Sequence, residues 1–215
     1  MRIVLASTSP RRRELFALLG VPFDVGVPDY EEQIVPGQTA ESMVARFAKG
    51  KAQSLAKHDP EAVVLGSDTL IELDGEVLGK PKDLSEARVM LQRIAGREHV
   101  VHTAVTLVCL ARHIDVTDSR RARVRMRPSD PAVLERYLAT GDSLGKAGAY
   151  SIQGLGCELI ESIQGDYLTV VGFPLRLAAA LLRKVGVTPP IDVEELYQEK
   201  PYGTWSRFSS DPPSL

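Results

Sequence analysis

Three arginines crowd the first turn of a predicted helix in the stretch ASTSPRRREL, residues 6–15. Ser9 reads as the N-cap, Pro10 as the first helical residue and Gly20 as the stop. Arg11, Arg12 and Arg13 then stand at the amide end, where the helix dipole makes each cation unfavourable by about 0.3–1 kcal/mol. A bound anion reverses that cost. The hydroxyls of Ser7 and Ser9, the amides of the helix start and the guanidinium forks of Arg11 and Arg12 suit a polyphosphate, whereas Arg13 is read as solvated. The glycine spacing and Gly-Lys-Ser/Thr ending of a P-loop are missing, so the phosphate cradle is of another kind.

Other charged residues stand where apolar patterning does not expect them. Lys51 follows Phe47 by four residues and Val44 by seven, on the inward face of a predicted helix. Alone it reads equally as a lysine snorkelling to the edge of an apolar stripe; beside the arginines, its charge is better used at a cleft. Asp68 ends the mostly apolar run VVLGS, and a carboxylate there suits a turn cap, a ligand to a divalent cation or a base that deprotonates water. Glu31 and Glu32, after a short strand, offer further oxygen ligands or simply an exposed acidic loop. Lys80 stands in GKPK, stiffened by Pro81, with Lys82 read as solvated. The emerging set is cations for phosphates, carboxylates for a metal and hydroxyls for positioning.

The elements that must hold these groups alternate between strand and helix. Strand RIVLA leads to a helix over 10–19, FDVGV gives a second strand, and a long helix spans about 39–57. A buried strand runs from AVVLG through SDTLIEL to a hairpin at Asp74-Gly75. A helix over 85–95, long strands near 98–111 and 114–127, and a helix over 131–140 follow. The loop GKAGAYSIQGLG precedes predicted strands CELIESI and YLTVVG, and a last helix spans 174–185. The fold class is therefore α/β, a twisted mixed sheet with flanking helices. Residues 187–215 are rich in proline and serine and contain the only tryptophan, Trp205; they read either as a flexible tail or as a segment docked through its aromatics.

Composition excludes several classes. The 215 residues, 44% hydrophobic and 25% charged, suffice for a sizeable core, and a net charge of -2 supplies no global field for nucleic acid or membrane. Two cysteines, Cys109 and Cys157, are read as reduced packing residues. The N-terminal apolar run is too short for a signal peptide, and a cytoplasmic protein without membrane partners is the expectation. His58, His99, His102 and His113 lack zinc-site spacing and are assigned to surface or strand packing. RRARVRMR, residues 120–127, alternates arginines with apolar residues as a half-buried edge strand does, and no aromatics interleave for base stacking. The rival to an enzyme is a non-catalytic partner in cell division or nucleic-acid binding, recognised by salt-sensitive binding that needs no divalent ion.

Taken in order, ASTSPRRREL, EE, AKGKA, GSDT, GKP and AGAYSIQGLG resemble the Maf family of nucleoside triphosphate pyrophosphatases, also described as septum-formation inhibitors. The resemblance covers about residues 1–186 and departs from the usual family ending at Val187. It implies two lobes around a central cleft, a fold related to inosine triphosphate pyrophosphatases, and a homodimer. It also implies that Ser7, Arg11, Arg12, Lys51 and Lys80 surround the triphosphate, that Glu32 and Asp68 hold Mg²⁺ or Mn²⁺, and that Asp68 accepts a proton. Within the family the chain is similar to the branch acting on dTTP and UTP. Arginine follows Pro10, Thr69 follows Asp68, and Gln153 stands where the 7-methylguanosine triphosphate branch has glutamate. An amide offers both donor and acceptor to a pyrimidine, whereas a carboxylate only accepts.

Overall fold

A computed structural model of the chain describes residues 1–208. Seven strands pair into a mixed sheet of order β2-β1-β3-β5-β6-β7, with β4 also on β3. They are β1 (Ile3–Ala6), β2 (Asp24–Gly26), β3 (Val63–Leu73), β4 (Glu76–Leu78), β5 (Glu98–Cys109), β6 (Ile114–Met126) and β7 (Ile160–Gln164). The helices are α1 (Pro10–Ala17), α2 (Ala40–Ala56), α3 (Leu84–Ile94), α4 (Pro131–Ala139), α5 (Tyr167–Val171), α6 (Leu175–Lys184) and α7 (Val193–Glu199). The chain divides into two compact units. The first comprises Met1–Thr69, Thr103–Arg120 and Gly172–Pro201; the second comprises Leu70–His102, Arg121–Val171 and the segment from Tyr202. Among the described residues no helix is long and apolar enough to cross a membrane.

In the first unit β1 runs parallel to both β2 and β3, as expected of strands joined through helices. Alternate residues of these strands meet α2. Val4, Ala6 and Val64 cluster with Ala52, Ala56, Ala62 and Val108. A second cluster packs Phe16 against Phe23 in a tilted pair and against Phe173 edge-on, with ring centroids 4.7 and 5.8 Å apart. Thr39 caps α2 by accepting from the Ser42 amide, which sets the start of the helix. α7 docks beside α6, with Arg176 paired to Glu194 and its guanidinium 3.8 Å from the Tyr197 ring centroid.

The second unit carries the Asp74-Gly75 hairpin, where both residues have positive φ (51° and 80°), as a two-residue turn between β3 and β4 requires. Two predicted strands are corrected here. Residues 154–159 of the GLGCELI region form a 3₁₀ segment before β7 begins at Ile160, and YLTVVG is the short helix α5. Its β-branched residues favour a strand, but Asp166 accepts from the Leu168 amide and its carbonyl accepts from Thr169, winding the first turn. β6 is also not an edge strand, since β5 and β7 flank it. The alternation itself is present: Ala122, Val124 and Met126 are buried, and the intervening arginines are exposed. Trp205, only 2% exposed, stacks on Tyr167, and Tyr167 shares a 2.6 Å hydrogen bond with Thr204. The tail is thus packed as far as Phe208, and residues 209–215 of it lie outside the described residues.

His99 is buried on β5, 2.8 Å from the Tyr150 hydroxyl, with no hydrogen-bond partner for Nδ1 among the described residues. Burial lowers its pKa to about 4 and raises that of Tyr150. Between that value and the unfolded value near 6.5 the unfolded chain binds the extra proton, so stability is full above pH 6.5 and falls on acidification. The loss by pH 4 is about 3 kcal/mol from this group. His99→Gln is expected to flatten the fall in melting temperature between pH 7 and 4.5; an unchanged pH slope in the variant would discount His99 as the cause.

Candidate active site

Strand β3 sets the position of Asp68. Residues two apart share a strand face, and on this one Val64 meets Ala52 and Ala56, Gly66 meets Ala48 and Ala52, and Asp68 meets Lys51. The close approach depends on Gly66. A Cβ there would fall on the Ala48 carbonyl oxygen and 2.9 Å from the Ala52 amide nitrogen. With α2 seated so near, Lys51 Nζ lies 2.6 Å from Asp68 Oδ1 and 2.6 Å from Glu32 Oε1. The ammonium is therefore shared by two carboxylates whose oxygens are at most about 5 Å apart. Asp68 is 3% exposed and Lys51 8%, depths at which charges persist only when paired. Asp68 Oδ2 is buried with no hydrogen-bond partner among the described residues. That oxygen has lone pairs available to a ligand.

Arg12 completes the cluster. Its Nε–H donates to the Gly172 carbonyl at 3.0 Å, its Nη2 donates to Thr69 Oγ1 at 3.0 Å, and Nη2 lies 3.8 Å from Asp68 Oδ1. Burial lowers the guanidinium pKa, while Asp68 and Glu32 offset part of that effect. The residue stays cationic at any physiological pH. Thr69 also shares a 3.0 Å hydrogen bond with Thr103, so strands β3 and β5 and the turn at Gly172 jointly fix the fork. Gly172 has φ 109°, and a Cβ there would stand 3.1 Å from Thr69 Oγ1. Thr103 and Gly172 are not marked by the sequence: Thr103 is one of two threonines on the buried strand β5, and Gly172 falls at the end of the predicted strand YLTVVG.

Ser7 is buried at the exit of β1, and its Oγ accepts from the Ser9 amide at 3.1 Å. Ser9 caps α1 as predicted, accepting from the Arg12 amide at 3.4 Å. Two of the amides expected to face an anion are thus engaged within the loop, which leaves side-chain cations the larger share of any phosphate contact. Arg11 is half-buried in the first turn of α1 and Arg13 is exposed. Glu31 is exposed, with Gln33 beside it.

Lys80 and Gln153 belong to the second unit. Lys80 is exposed after β4, and the neighbouring Gly79 carbonyl accepts from the Gly148 amide at 3.0 Å, tying its loop to the AGAYS segment. Gln153 is half-buried, its backbone N–H donating to Ser151 Oγ at 3.2 Å. A Cβ at Gly156 would fall on the Ser151 carbonyl, so this loop too is held by a glycine contact.

Glu32 and Asp68 suit a divalent cation that brings most of its ligands with it. The unpartnered Asp68 Oδ2 and the neighbouring Glu32 carboxylate supply hard oxygen donors, and Mg²⁺ commonly takes one or two carboxylates plus waters and phosphates. No group of three or more His, Cys, Asp or Glu gathers among the described residues, so a cage built wholly by protein is not offered.

The Maf-like protein family model matches residues 2–185. The dTTP/UTP pyrophosphatase of Clostridioides difficile is 44% identical over 184 residues, 86% of this chain and 95% of that protein. The 7-methyl-GTP pyrophosphatase of Xanthomonas campestris pv. campestris is 41% identical over 194 residues, 88% and 98% of the two chains. Among solved structures, the Staphylococcus aureus Ham1 protein aligns with a TM-score of 0.48 at 15% identity, covering 93% of this chain and 97% of that one. On the extent of the family match and these identities, the chain belongs to the Maf-like protein family.

Proposed function

We propose that the protein hydrolyses dTTP and UTP between the α and β phosphates, giving the nucleoside monophosphate and pyrophosphate. The observation that carries this reading is the buried Asp68 with one oxygen on Lys51 and the other unpartnered, within a cluster of paired charges that includes Arg12 and Glu32. The similarity to dTTP/UTP pyrophosphatases at 42–44% identity supports the same reaction.

Water attacks the α phosphorus in line, its proton passes to the Asp68 carboxylate, and the bond to the bridging oxygen breaks as pyrophosphate leaves. Arg12, held by Gly172 and Thr69, presents a preoriented fork to the phosphate chain, and Arg11, Ser7, Lys51 and Lys80 supply the remaining contacts. A divalent ion, Mg²⁺ or Mn²⁺ held by Glu32 and Asp68, would neutralise charge on the phosphates when bound. Residues 1–186 form the catalytic body in this reading, with 187–215 an appendage to it. A cytoplasmic homodimer working on the nucleotide pool is part of the proposal, and its two free cysteines suit a reducing compartment.

The relatives leave base choice close, since 7-methyl-GTP pyrophosphatases reach 41% identity. Gln153 supports the pyrimidine reading, since its side chain offers both a donor and an acceptor to a pyrimidine edge. Pyrophosphate release measured over dTTP, UTP, CTP and 7-methyl-GTP tests the assignment; preference for the methylated purine would replace it. Gln153→Glu is expected to cut kcat/KM for dTTP about 10-fold or more, with little change in melting temperature. Wild-type turnover of dTTP by that variant would refute base reading by Gln153.

A further inference from the structure

The ammonium of Lys51 occupies the place to which a divalent cation would be drawn, 2.6 Å from a carboxylate oxygen on each side. We propose that Lys51 is an exchangeable counter-ion. Without nucleotide it fills the Glu32–Asp68 pair and keeps free Mg²⁺ or Mn²⁺ out; with nucleotide it moves to a phosphate oxygen, so that ion and triphosphate enter together. The identity of the nucleotide rests on the pyrophosphatase reading, whereas the exclusion of free metal rests on the geometry alone.

Charge and side-chain chemistry both lead to this exchange. The two carboxylates are already matched by one ammonium and one guanidinium, with Arg12 Nη2 3.8 Å from Asp68 Oδ1. A dication added to that balanced cluster meets two nearby cations and gains little. A triphosphate carries enough negative charge to take the lysine and to accompany the metal. Lysine suits the switch because its ammonium is a compact charge on a flexible stem, whereas the Arg12 fork is pinned by Gly172 and Thr69. The unpartnered Asp68 Oδ2 shows that the lysine leaves one ligand position unused. Departure of Lys51 from Oδ1 and from Glu32 then opens the rest. Coupling of this kind is reciprocal: the nucleotide must tighten the metal by the factor by which the metal tightens the nucleotide.

Free Mn²⁺ followed by electron paramagnetic resonance tests the exchange on the full chain. Wild-type protein is expected to bind Mn²⁺ weakly alone and at least about 10-fold more tightly with a non-hydrolysable α,β-imido dUTP. Lys51→Met is expected to bind Mn²⁺ about 10-fold more tightly than wild type without nucleotide, and to lose most of the coupling. Lys51→Gln, which retains a hydrogen-bond donor, guards against a folding defect in the first variant, and circular dichroism checks both. The exchange is overturned if neither variant binds Mn²⁺ more tightly, or if wild type binds it equally well with and without the analogue. Tighter Mn²⁺ binding by the variants in a protein that releases no pyrophosphate from any nucleotide would uphold the exchange and sink the pyrophosphatase reading. Active wild-type enzyme with unchanged Mn²⁺ affinity in the variants would sink the exchange alone.

Discussion

Asp68→Asn is expected to lower kcat for dTTP by about 10²- to 10⁴-fold, the range for loss of a positioned proton acceptor, with KM changed only a few-fold. The fold should survive the substitution. Lys51 keeps Glu32 at 2.6 Å, so its ammonium is not left buried and alone, and the amide retains an oxygen to turn toward Lys51. One amide N–H then stands near the position of Oδ2, where no protein partner waits, a cost of about 1–3 kcal/mol. Steady-state pyrophosphate release, with circular dichroism as the folding control, reads the result. Raising Mn²⁺ separates the two roles assigned to this carboxylate: recovery of kcat identifies loss of a metal ligand, and a flat response identifies loss of the proton acceptor. Wild-type turnover by the variant would remove Asp68 from the chemistry altogether.

Two charged residues of the first unit are legible in sequence because each breaks an apolar pattern. Lys51 interrupts the inward face of α2 and Asp68 interrupts a buried strand, and the structure joins these two anomalies into one ion pair. Glu32 was visible only as part of an acidic pair; nothing local distinguishes it from Glu31, and α2 is what brings Lys51 to it. Thr103 and Gly172 were illegible for another reason. Their importance lies in holding Arg12 across long separations in the chain, and a threonine in a strand or a glycine at a turn has many structural explanations.

The elements were readable where punctuation and period agreed. Ser9 before Pro10, and Asp74-Gly75 between apolar runs, gave the α1 cap and the β3–β4 hairpin directly. The α5 segment failed because its composition and its capping point in opposite directions: YLTVV favours a strand, yet Asp166 before it supplies the bonds that begin a helical turn. The edge assignment of β6 failed because an alternating pattern reports one solvated face and says nothing about neighbours in the sheet plane. For the tail, the sequence with Trp205 leaves a flexible and a docked segment equally open, because the surfaces that Trp205 and Tyr197 meet depend on partners remote in sequence.

Gly66→Ala is expected to destabilise the protein by about 3 kcal/mol and to lower its melting temperature by about 6–12 °C. One methyl group has this effect because it must enter the space already held by the Ala48 carbonyl oxygen and crowd the Ala52 amide, and neither is a side-chain end that can rotate aside. The backbone of α2 has to retreat from β3. That retreat carries Lys51, between those two residues in the helix, away from Asp68, so activity is expected to fall even at temperatures where the variant is folded. Gly203→Ala is the matched control, because a Cβ there meets nothing within 4 Å and the melting temperature should hold. Melting curves and pyrophosphate release measured on the two variants distinguish local crowding from a general intolerance of lost glycine. If Gly66→Ala melts with wild type, the helix is not seated against the strand as closely as the Lys51–Asp68 contact requires.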